Sequence, residues 1–90
     1  MGTALITLKI MPSSPETDLE AIKEKSKSLI EKNQGSKIRF EEEPIAFGLK
    51  AIKVFFDLDE SQELELIENS LSQIENISSV QVIDMRRAFG

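Results

Sequence analysis

Neither cysteine nor histidine occurs in the 90-residue chain. Without cysteine there is no disulfide, no thiolate nucleophile and no cysteine metal site. Without histidine, the common general base and zinc ligand of neutral pH is also missing. Glycine is scarce, at 4 residues, and none clusters before a helix as a phosphate-cradling loop requires; Pro12-Ser13-Ser14-Pro15 stands in that place. No apolar run approaches the roughly 18 residues of a membrane-spanning helix, and the N-terminus lacks the pattern of a secretion signal. A cytoplasmic protein away from membranes is expected. A basic surplus is lacking too. The net charge of −5 argues against direct nucleic-acid binding, which leaves a basic footprint.

What is present suits one globular domain over residues 1–90: 40% apolar and 30% charged residues, with clear apolar periods. Charge is uneven. Acids gather at Glu41–Glu43 and from Asp57 to Glu68, while Arg86 and Arg87 stand together near the C-terminus. On the residues alone, the arginines are either part of a solvated surface or a basic tip for an acidic groove or nucleotide site. Acidic pairs such as Asp57 and Asp59 read as solvated acids near a helix N-terminus rather than as a magnesium or acid–base site. No catalytic residue, cofactor or metal site is assigned.

Residues 3–11 alternate as a strand, with Ala4, Ile6, Leu8 and Ile10 on one face. A helix follows, started by a Thr17–Glu20 capping box or by Ser14 and Pro15, with the stripe Leu19, Ile22, Ser26, Leu29 and Ile30. Asn33-Gln34-Gly35 ends it, Gly35 suiting a left-handed position. Residues 36–42 form a second strand with Ile38 and Phe40 inward. Leu49 to Leu58 form a third, with a bulge expected at Ala51 beside Ile52. Asp59 or Ser61 caps a second helix striped by Leu64, Ile67, Leu71 and Ile74. Val80 to Met85 form the last strand, leaving residues 86–90 as a tail. The order β-α-β-β-α-β predicts an α+β ferredoxin-like sandwich, a four-stranded antiparallel sheet with two helices on one face. The other face would carry Leu5, Thr7, Met11, Phe55, Ile83 and Met85, more apolar than solvent alone requires.

Within that pattern, Pro44-Ile45-Ala46-Phe47-Gly48-Leu49-Lys50 resembles the Phe-Gly-Ile/Leu-Lys segment of the elongation factor 1-beta family. Glu16-Thr17-Asp18-Leu19-Glu20 is similar to the start of that family's first helix, and Val80 to Met85 to its last strand. The resemblance spans essentially the whole chain, and an isolated exchange domain beginning at Met1 looks like the archaeal form. It implies a guanine nucleotide exchange factor of translation, acting on the GTPase elongation factor 1-alpha without breaking bonds. It assigns partner contact to the loop of Phe47, Gly48, Leu49 and Lys50, and to the tail of Arg86, Arg87, Ala88, Phe89 and Gly90. The tail would reach towards the partner's phosphate and magnesium region. A near-terminal lysine, associated in eukaryotic members with displacing that magnesium, is replaced by Phe89-Gly90, so the charge would come from Arg86 or Arg87, or exchange would rest on shape. Without the resemblance, Phe47 reads either as a lid over the core or as an anchor, and Lys50 as a solvated strand residue. The alternative function is a regulatory ferredoxin-like domain that binds a small molecule.

Overall fold

The computed structural model describes residues 2–88, and for Ala88 the backbone alone. Its elements are β1 (Thr3–Pro12), α1 (Leu19–Lys32), β2 (Ser36–Pro44), β3 (Lys50–Asp59), α2 (Leu64–Ser72) and β4 (Ile77–Ala88). The sheet runs β2-β3-β1-β4 with every pairing antiparallel. This is the expected ferredoxin-like arrangement. Alternation on the two central strands puts Ala4, Ile6, Leu8 and Ile10 beside Ile52, Val54, Phe56 and Leu58 on one face. Ile22 and Ile30 of α1 and Ile67 and Leu71 of α2 close the same core, so both helices cover that face. No helix is long and apolar enough to cross a membrane among the described residues.

Several boundaries differ from the sequence reading. The N-cap of α1 is Asp18, not Thr17: its Oδ1 accepts from the backbone N–H groups of Glu20 (3.1 Å) and Ala21 (3.3 Å). The Thr17 hydroxyl instead lies 3.2 Å from the Ser14 hydroxyl. A carboxylate one residue closer to the helix reaches two orphan amides, which outweighs the neutral hydroxyl. At the other end Gln34, not Gly35, takes the left-handed conformation, with φ 74°. Gln34 N–H donates to Glu31 O (3.1 Å) and Gly35 N–H to Ile30 O (2.8 Å), the paired bonds of a Schellman motif. Gly35 serves by close approach, because a Cβ there would overlap Ile30.

Neither Asp59 nor Ser61 caps α2. The N-cap position is Glu63, which makes no side-chain cap bond. Asp59 Oδ1 accepts from the Ser61 N–H and hydroxyl, each at 2.8 Å, and so shapes the turn before the helix. Its carboxyl is held below the usual range by the backbone N–H of Ser61, then by its hydroxyl.

The expected bulge at Ala51 is absent: Glu43 pairs with Ala51 and Glu42 with Ile52 in unbroken register. The irregularities fall on the edge strands, between Ser36 and Arg39 in β2, and in β4 opposite Thr7/Leu8 and Met11/Pro12. In β4, Thr7 faces Asp84 and Leu8 faces Val82, leaving Ile83 as the extra residue. That insertion reverses the alternation. Met85 pairs with core-facing Ile6 and so belongs to the helix side of the sheet, not to the open face. Pro12 remains in the ladder opposite Ile77, so β4 begins before Val80.

Candidate functional site

The segment from Pro44 to Lys50 closes the hairpin between β2 and β3. Ile45 N–H donates to Leu49 O at 2.8 Å, and Leu49 N–H donates to Ala46 O at 3.3 Å. Between these bonds Phe47 and Gly48 both adopt the left-handed region, with φ of 64° and 75°. Gly48 does so freely, whereas a phenylalanine there costs roughly 1–2 kcal/mol. The Phe47 ring recovers none of that by burial, being 92% exposed. The lid reading is thereby overturned. Ile45 and Leu49 are the half-buried residues of the loop. A Cβ on Gly48 would lie 3.9 Å from Pro15, so the β1–α1 connection runs beside the hairpin.

Charged side chains hold the hairpin's base. Glu42 Oε2 lies 2.7 Å from Lys23 Nζ of α1, and its Oε1 lies 4.0 Å from Lys50 Nζ. Glu43 Oε2 lies 2.7 Å from Lys53 Nζ, and its Oε1 lies 3.5 Å from Lys9 Nζ. The hydrogen bond from Lys23 holds the Glu42 carboxyl below its ordinary range, and that from Lys53 does the same for Glu43. Reciprocally, hydrogen bonding to Glu42 raises Lys23 and hydrogen bonding to Glu43 raises Lys53. Lys50 is therefore an exposed strand residue loosely associated with Glu42. In the sequence, Glu41–Glu43 stand out only as an acidic cluster. Lysines falling on both faces of the neighbouring strand were the signal that could have singled out Glu42 and Glu43.

The tail is not free up to Ala88. Arg86 pairs with Leu5, Arg87 with Ala4 and Ala88 with Thr3, which extends β4 beyond the expected end at Met85. The two arginines point to opposite faces. Arg86, on the open face, has Nε 3.0 Å from Asp84 Oδ2; Arg87, on the helix side, has Nε 3.0 Å from Glu60 Oε1. Both charges are thus countered within the chain, which removes the picture of a single basic tip. Arg87 and Met85 border a cleft of about 310 Å³ floored by Ala4, Ile6 and Leu58. Phe89 and Gly90 lie outside the described residues.

The loop and the tail are not brought together. Antiparallel pairing sets Ile10 against Ile52 at the hairpin end and Thr3 against Asp59 and Ala88 at the other. The length of β3, 10 residues at about 3.3 Å each, separates them by roughly 30 Å. The molecule is correspondingly long, 42 × 21 × 17 Å. Among the described residues no group of three or more acidic side chains is placed to hold a metal ion.

Residues 5–88 match the profile of the EF-1 guanine nucleotide exchange domain. Elongation factor 1-beta of Methanothermobacter thermautotrophicus is 42% identical over 89 residues, covering 97% of this chain and 98% of that protein. The protein of the same name from Methanocaldococcus jannaschii is 39% identical over 89 residues, covering 98% and 100%. One from Methanosphaera stadtmanae is 43% identical over 88 residues, covering 97% and 98%.

Proposed function

The chain belongs to the EF-1 guanine nucleotide exchange domain family and is an exchange factor of translation elongation, and from that membership we propose that it grips elongation factor 1-alpha at two separate places, with Phe47 as the anchor of one. The small-molecule regulatory alternative is not favoured by these relatives. The whole chain acts as one exchange domain, in the cytoplasm, and breaks no bond in its partner.

Exchange needs an interaction stronger with the empty GTPase than with the nucleotide-bound one. A nucleotide bound at nanomolar strength is held by about 12 kcal/mol, and the factor must offset a useful share. Burying one phenylalanine supplies about 1.5–3 kcal/mol. The observation that carries the reading is Phe47 itself: an aromatic ring held out of its own core at 92% exposure, on a backbone that disfavours it. Strain and exposed apolar area in one residue suit a docking element. Gly48 permits the turn, Leu49 seats it, and Lys50 adds an exposed cation beside it. The second contact comes from residues 86–90, where Arg86 and Arg87 would exchange their internal carboxylates for groups of the partner. With roughly 30 Å between the ends, the two contacts fall on distinct patches of the GTPase.

Stopped-flow release of labelled GDP from elongation factor 1-alpha tests this. The wild-type protein should accelerate release catalytically. Phe47→Ala should lower kcat/KM by roughly ten- to a hundredfold with an unchanged circular dichroism spectrum. No acceleration by the wild type overturns the exchange reading; an unimpaired Phe47→Ala removes the anchor.

A further inference from the structure

We propose that Glu42 and Glu43 are positioning residues for exchange: a two-faced ionic clamp that holds the hairpin so that Phe47 is presented in one place. This rests on Phe47 being the anchor. The two acids are adjacent in β2, so their side chains leave opposite faces of the sheet. Glu42, paired with Ile52, is on the helix side and lies between Lys23 of α1 and Lys50 of β3. Glu43, paired with Ala51, is on the open side and lies between Lys53 of β3 and Lys9 of β1. Lys9 and Lys53 face each other directly across the β1–β3 ladder, a like-charge pair that Glu43 relieves.

Apart from the β2–β3 ladder, little else secures this part of the chain. β2 is an edge strand bonded only to β3, and its register shifts between Ser36 and Arg39. Its apolar side chains, Ile38 and Phe40, are half-buried and lie upstream of the clamp. From Glu41 to Pro44 no side chain is buried, and Pro44 offers no backbone donor at the last rung before the loop. Side-chain burial therefore adds little to the ladder at the hairpin base, and the carboxylate–lysine contacts supplement it. Partly exposed ion pairs add little to global stability. They matter here because local opening of a hairpin with few apolar contacts is easily reached. A clamp that raises the fraction of molecules with Phe47 correctly placed lowers the apparent dissociation constant by that fraction. Once docked, the hairpin is ordered by the partner, so the maximal rate does not depend on the clamp.

The test is the full chain carrying E42Q and E43Q, with K23M and K53M breaking the same contacts from the lysine side. Backbone hydrogen exchange at Ile45 and Leu49 should be faster than in the wild type, with Ile6 and Leu8 unchanged. In GDP release from the GTPase, KM should rise roughly five- to twentyfold with kcat retained. Unchanged exchange at Ile45 and Leu49 overturns the clamp. Faster exchange at those amides with an unchanged KM overturns its role in function. Phe47→Ala, run alongside, separates the two layers. If it is impaired while E42Q/E43Q is not, this inference alone falls; if it is unimpaired, the anchor falls and takes the clamp's purpose with it.

Discussion

Ser26 lies on the buried stripe of α1, fully enclosed, and its Oγ has no hydrogen-bond partner among the described residues. A buried hydroxyl without a partner carries a desolvation cost of about 1–3 kcal/mol. Alanine removes that atom, leaves almost no cavity and favours the helix. Ser26→Ala should therefore raise the unfolding free energy by about 1 kcal/mol, read from the urea midpoint at constant slope. Gly35 presents the opposite case. A Cβ there would overlap Ile30 Cγ2 and stand 3.0 Å from Ile30 O, where the Schellman bond forms. Gly35→Ala should destabilise the protein by about 1–3 kcal/mol, the usual cost of overpacking. The sequence pointed to a special glycine at this helix end. It did not reveal that Gln34 takes the left-handed turn while Gly35 supplies the missing side chain.

At the scale of elements, the base of the hairpin couples pH to stability. Glu42 and Glu43 have folded-state pKa values lowered by their lysine partners. Their contribution is complete above the ordinary glutamate value of about 4.3 and is lost as pH falls through the lowered values. Between about pH 5 and 3, the urea midpoint of the wild type should fall more steeply than that of E42Q/E43Q. Asp59, also lowered, is present in both proteins and cancels in the comparison. Equal slopes would show that the carboxylates gain nothing from their lysines on folding. In the same hairpin the sequence leaves two readings open. Phe47 following Ile45 and Ala46 suits a lid or an anchor, because both need an aromatic residue at a turn. The backbone excludes the lid: left-handed φ at Phe47 and Gly48 turns the ring outward. In β4 the alternation looked regular, yet pairing with β1 inserted Ile83 and carried Met85, 62% exposed, to the helix side.

For the molecule as a whole, the consequence is length. Phe47 and the paired residues Arg86 and Arg87 occupy opposite ends of the sheet. Groups roughly 30 Å apart with no shared contacts within the chain act independently. Phe47→Ala and Arg86→Ala should then multiply in their effects on kcat/KM for GDP release, the double variant matching the product within about twofold. A double variant no worse than the poorer single one would mean that both ends serve one step. Removing residues 86–90 is a less direct probe, because the cut also takes away the β4 partners of Thr3, Ala4 and Leu5 in β1.

By itself, the amino-acid sequence determined the element order, the two helical stripes and the inward positions of β1 and β3, because those depend on periods of 2 and 3.6 that are written locally. Its motifs also carried the family. Tertiary structure decided the rest: which side chain caps α1, where the bulges fall, which faces Met85, Arg86 and Arg87 occupy, and how far the loop lies from the tail. Each of these depends on which strand a residue meets across the sheet, and a single inserted residue in β4 was enough to reverse the face of everything beyond it.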